Sequence, residues 1–237
     1  MIYQQPKPFC IGIIGGMGPR ATVRFEMKLL ERLQGSDQDL PDIICMNFGR
    51  TPDRTAYLQG EGINPGPSIR NIALQLEQLG ASVLCIPCNT AHAPHILRHI
   101  IPRLSVPLLH MPELTIEKIR SLNLQRAVVL STEGTRMSGI FNCEYTVRSP
   151  DRTQELLSKI ISDIKAGITP SGIDIKNITR ATRQLGADSV ILACTELSEI
   201  AHQFNDITVI DTLDVLADAC VQYYERSNSC QTNQKVL

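Results

Sequence analysis

A short sequence is written twice in this chain, and the two copies constrain its fold more than any other feature. Ile69-Arg-Asn-Ile72, Gln78-Leu-Gly-Ala81 and Cys88 return as Ile175-Lys-Asn-Ile178, Gln184-Leu-Gly-Ala187 and Cys194, at a constant offset of 106 residues. Eight identities fall in one ungapped window of 20 residues that ends on the cysteine. Duplication at this spacing requires two similar halves rather than one continuous core. Equivalent thiols at equivalent places imply a two-sided site, suited to chemistry that needs a proton donor on one face of a molecule and an acceptor on the other.

A buried cysteine is more often an inert small hydrophobe, so its setting decides. Val83–Pro87 and Ser189–Ala193 are short apolar runs preceded by turn residues, which read as buried parallel strands. Each cysteine falls where its run stops, at the strand's carboxyl end, the edge at which open α/β sheets bind ligands. Further strands are predicted over Cys10–Ile14, Ile43–Met46, Val106–Leu109, Ala127–Leu130, Tyr145–Val147 and Ile207–Ile210. Helical periodicity marks Ala21–Leu33, Ile69–Leu79, Ile116–Leu122, Leu156–Ala166 and Ile173–Leu185. The alternation implies right-handed crossovers with helices on both faces of parallel sheets. The predicted fold class is therefore α/β: two pseudo-symmetric domains, each a parallel sheet flanked by helices, with an active site in the interdomain cleft. Residues 1–112 form the first half, 113–214 the second, and 215–237 return to the first through a last helix, Leu213–Glu225. The polar tail from Ser227 is expected to be disordered.

Composition removes several functions. The 237 residues are 43% hydrophobic and 20% charged, with a net charge of −1 and a pI near 6.5. That balance offers no basic surface for nucleic acid or an anionic membrane, and 4% aromatics without Trp give no base-stacking platform. No run approaches the roughly 20 apolar residues of a spanning helix. Phe9–Ile14 is shorter than a signal-peptide core of about 7–15 residues. Eight scattered cysteines in a chain of this length are not a disulfide scaffold and point to a reduced, cytoplasmic protein with free thiols.

Other groups carry weaker signals. Gly12-Ile-Ile-Gly-Gly-Met-Gly18 precedes Pro19 and presents a helix N-terminus, which either holds an anion or simply makes a tight turn. It lacks the dinucleotide fingerprint. Cys85-x2-Cys88 with His92, His95 and His99 resembles a zinc site only superficially: three residues separate Cys88 from His92, against about 12 in a zinc finger, so no metal is expected. Arg54 falls in a long Gly/Pro-rich loop, where its planar fork would suit a carboxylate, or where it is simply solvated. Lys165 has an equally plain reading as a charge near a helix C-terminus.

Pro87-Cys-Asn-Thr-Ala-His92 and Cys194-Thr-Glu196, with Gly15-Gly-Met-Gly-Pro19 and Pro52-Asp-Arg-Thr-Ala-Tyr57, resemble the aspartate/glutamate racemase family, and within it the aspartate racemase branch. The resemblance covers roughly residues 8 to 226. It implies cofactor-independent interconversion of L- and D-aspartate, usually by a homodimer, with Cys88 and Cys194 as the acid–base pair. It also implies that Asn89, Thr90 and Thr195 bind the α-carboxylate and amino group beside Met17. Arg54 and Lys165 would hold the side-chain carboxylate, and Thr132 and Thr135 match a loop of the family. Glu196 either orients Cys194 or is simply an acid favourable at a helix N-terminus. Glu133 and Ala193 depart from the pattern, and an inward Glu133 would repel a dicarboxylate. A thiol base at neutral pH needs its pKa lowered, and a helix following each strand-end cysteine would supply the dipole. The alternatives are a broader amino-acid racemase, hydantoin racemase or maleate isomerase on the same scaffold, or a non-catalytic ligand-binding or thiol-redox protein.

Overall fold

The computed structural model describes residues 8–234. Strands β1 (Cys10–Gly15), β2 (Asp42–Asn47), β3 (Val83–Cys85) and β4 (Leu108–Leu109) form one sheet in the order β2-β1-β3-β4. Strands β5 (Ala127–Ser131), β6 (Thr146–Arg148), β7 (Ser189–Ala193) and β8 (Thr208–Asp211) form a second in the order β6-β5-β7-β8. Every pairing is parallel. The two orders coincide when each strand is matched to the one four places on, so the duplicated sequence is also a duplicated topology. Each predicted strand overlaps an observed one.

Helices α1 (Pro19–Leu30), α2 (Arg54–Leu58), α3 (Gly66–Leu79), α4 (Pro94–Leu97) and α5 (Met111–Ser121) come before β5, the rest after it. Those are α6 (Glu133–Ser138), α7 (Asp151–Ala166), α8 (Gly172–Gln184) and α9 (Thr212–Gln234). The repeat copies explain themselves here. Ile69 and Ile72 of α3 bury against Leu84 of β3, and Ile175 and Ile178 of α8 against Val190 and Leu192 of β7. Burial of such a side chain is worth about 1.5–3 kcal/mol. The repeated glycines stop these helices: Gly80 (φ 109°) and Gly186 (φ 67°) adopt the left-handed conformation that lets the chain turn back into the strand.

Helix α9 ties the halves together. Leu213, Leu216, Ala217 and Cys220 pack with Ile11, Ile13, Phe25 and Leu29 under the first sheet, while Val215 packs with Ile191 and Ile210 of the second. Lys28 on α1 reaches Asp211 (3.2 Å) and Asp214 (2.8 Å), and Arg32 reaches Asp214 and Asp218 (both 2.6 Å). Among the described residues no helix is long and apolar enough to cross a membrane.

Two sequence expectations are corrected. The tail from Ser227 is not disordered up to Gln234 but continues α9, since it contains neither Pro nor Gly to end the helix. Arg54 is not in an open loop. It is the first residue of α2, whose N-terminus is capped by Asp53 accepting from the Ala56 amide at 2.9 Å.

Candidate active site

Beyond the carboxyl ends of β3 and β7 the chain makes matching moves. Cys88 (φ −156°, ψ 109°) and Cys194 (φ −131°, ψ 122°) are both extended, and each opens a 3-10 segment, Asn89–His92 and Thr195–Gln203. Both side chains are nearly buried, at 6% and 5% exposure, each against the core of its own half. They nevertheless border a single cavity between the halves, together with Met17, Arg54, Asn89, Thr90, Thr132, Lys165, Thr195 and Glu196. The cavity thus gathers all but one of the residues that the sequence analysis assigned to acid–base chemistry or substrate binding. The exception, Thr135, stands behind Thr90. Asp53, Thr55 and Ala193 also border the cavity and were not foreseen as site residues.

The cavity holds about 30 Å³, room for a water rather than an amino acid. It adjoins a groove of about 570 Å³ that shares Arg54, Lys165, Thr195 and Glu196 and reaches the surface past Arg20 and Glu199. Admitting an amino acid therefore requires residues lining the cavity to move.

Hydroxyls bridge the halves. Thr90 Oγ1 lies 2.7 Å from Thr135 Oγ1 and 3.1 Å from Thr132 Oγ1, and Thr132 caps α6 by accepting from the Thr135 amide. Helices α2 and α6 also meet closely across the halves, because Gly134 has no side chain: a Cβ there would come within 2.6 Å of Thr55 Oγ1 and 2.8 Å of Thr55 Cα. Glu133 does not border the cavity and sits 3.7 Å from Arg136, so it poses no obstacle to an anionic ligand. The Arg54 guanidinium donates to the carbonyls of Met17 (3.3 Å), Thr51 (3.4 Å) and Pro52 (3.1 Å), while its buried Nε has no partner among the described residues.

Cys194 Sγ donates to Glu196 Oε2 at 3.1 Å, and Thr195 Oγ1 donates to the same oxygen at 3.3 Å. The expected depression of this thiol's pKa is overturned. Burial pushes it well above the ordinary thiol value, the Glu196 carboxylate pushes it further, and Lys165 pulls it only partly back. No α-helix follows either cysteine directly, so the dipole invoked from sequence is reduced to that of a 3-10 segment. The carboxylate of Glu196 also occupies the mouth of the glycine loop, where a Cβ on Gly18 would lie 3.2 Å from Oε1.

The zinc resemblance dissolves on inspection of direction. Cys85 points into the core beneath α9 and Cys88 into the opposite one, and no disulfide joins them. His92 is fully buried with Nε2 3.1 Å from the Ile86 carbonyl, whereas His95 is exposed. Among the described residues no three His, Cys, Asp or Glu side chains are grouped to hold a metal ion.

The sequence matches the Asp/Glu/hydantoin racemase family over residues 14–220. The broad-specificity amino-acid racemase RacX of Bacillus subtilis is 31% identical over 231 residues, covering 90% of this chain and 97% of RacX. The chain belongs to the Asp/Glu/hydantoin racemase family. Its enzymatic class is accordingly that of a racemase, an isomerase. The aspartate racemase of Picrophilus torridus superposes with a TM-score of 0.75 at 27% identity, covering 92% of this chain and 94% of that one. This likeness supports the aspartate racemase branch. Glutamate racemase of Francisella tularensis, at 15% identity and a TM-score of 0.64 over 94% of this chain and 82% of that one, shares the fold.

Proposed function

We propose that this racemase interconverts L- and D-aspartate without a cofactor, by moving the α-proton between Cys88 and Cys194. The observation that carries the reading is the single cavity bordered by equivalent cysteines of two equivalent halves. One sulfur, as thiolate, takes the proton from Cα, and the electron pair left behind spreads onto the α-carboxylate. The other sulfur, as thiol, returns a proton to the opposite face. Thr90, Thr195 and the backbone N–H groups opening the two 3-10 segments face the growing negative charge, which they stabilise more strongly than the ground state. Cys194 rests with its proton, given to Glu196, and so serves as the donor when Cys88 abstracts. We take the halves to divide near residue 112, with the described residues from 215 onward belonging to the first.

Arg54 and Lys165 would receive the side-chain carboxylate, and this selects aspartate. Incubating the protein with L-aspartate alone and resolving the enantiomers tests the activity. Arg54→Lys should cut kcat/KM for aspartate about 10²-fold, because a fork is replaced by a point charge, while racemisation of alanine should change far less. Equal losses on both would remove Arg54 from side-chain recognition. The second reading, broad specificity, is favoured by the likeness to RacX. Comparable rates across a panel of neutral and acidic amino acids would establish it instead.

The active form is read as a homodimer. Helix α1 exposes Val23 (55%), Met27 (55%) and Leu30 (47%) along one stripe, flanked by Arg20, Arg24 and Glu31. An antiparallel pairing about a two-fold axis buries the stripe and brings Glu31 of each copy toward the arginines of the other. Wild-type protein should sediment as a dimer and Met27→Glu as a monomer. A monomeric wild type would overturn this assembly.

A further inference from the structure

Thr212, the first residue of α9, is fully buried and borders neither the cavity nor its adjoining groove, yet it touches the chain on both sides of the site. Its Oγ1 donates to the carbonyl of Leu192, two residues before Cys194, at 2.9 Å. The same Oγ1 lies 3.0 Å from Nδ2 of Asn89, the residue that follows Cys88. A hydroxyl carries a single proton. With that proton committed to Leu192, Thr212 can meet Asn89 only as an acceptor, so the Asn89 amide must present its NH2 group to Thr212 and turn Oδ1 away. Oδ1 is buried and has no partner among the described residues, and Asn89 borders the cavity beside Cys88. A buried amide oxygen demands a donor. Of the polar groups of aspartate only the α-ammonium donates, since both carboxylates are acceptors alone.

We propose that Thr212 is a positioning residue that locks the Asn89 amide with Oδ1 set to accept from the substrate's α-ammonium, so that the site discriminates an amino acid from the corresponding acid without an amino group. The inference rests on the reading of the cavity as an amino-acid site. It differs from that reading in assigning a selective role to a residue remote from the reacting carbon.

The test compares Thr212→Val, which keeps the shape and loses the hydroxyl, with Thr212→Ser, which keeps the hydroxyl. Thr212→Val should raise KM for aspartate about tenfold with a smaller change in kcat, as one substrate hydrogen bond loses its fixed acceptor. Thr212→Ser should recover most of that loss. Competitive inhibition by succinate, which has both carboxylates and no ammonium, should move less than about twofold in Thr212→Val. In an Asn89→Ala background the same change should add less than about twofold, because Thr212 acts through Asn89. An unchanged KM in Thr212→Val, a parallel rise in KM and in the succinate constant, or a serine variant as impaired as the valine one would each overturn the proposal. If the wild-type protein leaves aspartate untouched, the substrate assignment fails by itself. The comparison is then read with the amino acid it does racemise against that acid's des-amino analogue.

Discussion

Cys194→Ala should lose racemisation by about 10³-fold, the scale of a positioned proton-transfer group, while continuing to exchange the α-hydrogen of one enantiomer with solvent. Cys88→Ala should show the same loss with exchange confined to the opposite enantiomer. The reason is geometric: with one sulfur left, a proton can leave and return only through the face that sulfur addresses, so configuration is retained while the hydrogen is replaced. Incubation in D2O, followed by NMR of the α-proton and chiral chromatography, separates exchange from inversion. Racemisation by either variant within tenfold of wild type would exclude a two-cysteine mechanism, and exchange of both enantiomers by one variant would require another base in the cavity. Exchange by Cys88→Ala depends on ionising Cys194, whose pKa burial and the Glu196 carboxylate hold high, so its rate should keep rising into the alkaline range. Under the two-cysteine proposal, the resting hydrogen bond from Cys194 to Glu196 would give the halves unequal roles despite their repeated sequence.

The contrast between what the chain declares and what it conceals follows the range of the interactions involved. The strands around Ile11 and Val190 are buried on both faces, and their uninterrupted apolar runs are visible without a structure. So is the repeat that puts Ile69 and Ile175 on equivalent helices. The cysteines are legible because the repeat ends on them. Helix α2 escapes notice because five residues are too few to show a period, although Asp53 ahead of Arg54-Thr-Ala-Tyr-Leu58 is a helix-start signal in the sequence. The four-residue 3-10 segment after Cys88 is hidden for the same reason. The pKa of Cys194 is illegible for a different one: local sequence shows Glu196 two residues away but not the burial that dominates. Thr212 lies furthest out of reach, since its link to Asn89 spans 123 positions and exists only once both halves and α9 are assembled.

Acid should destabilise the protein through His92 by roughly 4 kcal/mol between about pH 6.5 and about pH 3. His92 is fully buried, and desolvation, with a smaller contribution from neighbouring His110, lowers its pKa from 6.5 to about 3 despite the hydrogen bond to the Ile86 carbonyl. The two rings meet edge to face with centroids 5.0 Å apart. In this window the unfolded chain binds a proton that the folded chain refuses, so stability falls as pH drops from the unfolded value and levels off below the folded one. Urea unfolding at several pH values measures the slope. His92→Gln, neutral throughout and able to donate to the same carbonyl, should flatten it. An equally steep decline in His92→Gln would assign the acid sensitivity elsewhere. Protonation at Nδ1 leaves the Nε2–H donation to the Ile86 carbonyl in place, so the acid penalty comes from burying the charge beside His110 and not from losing that bond.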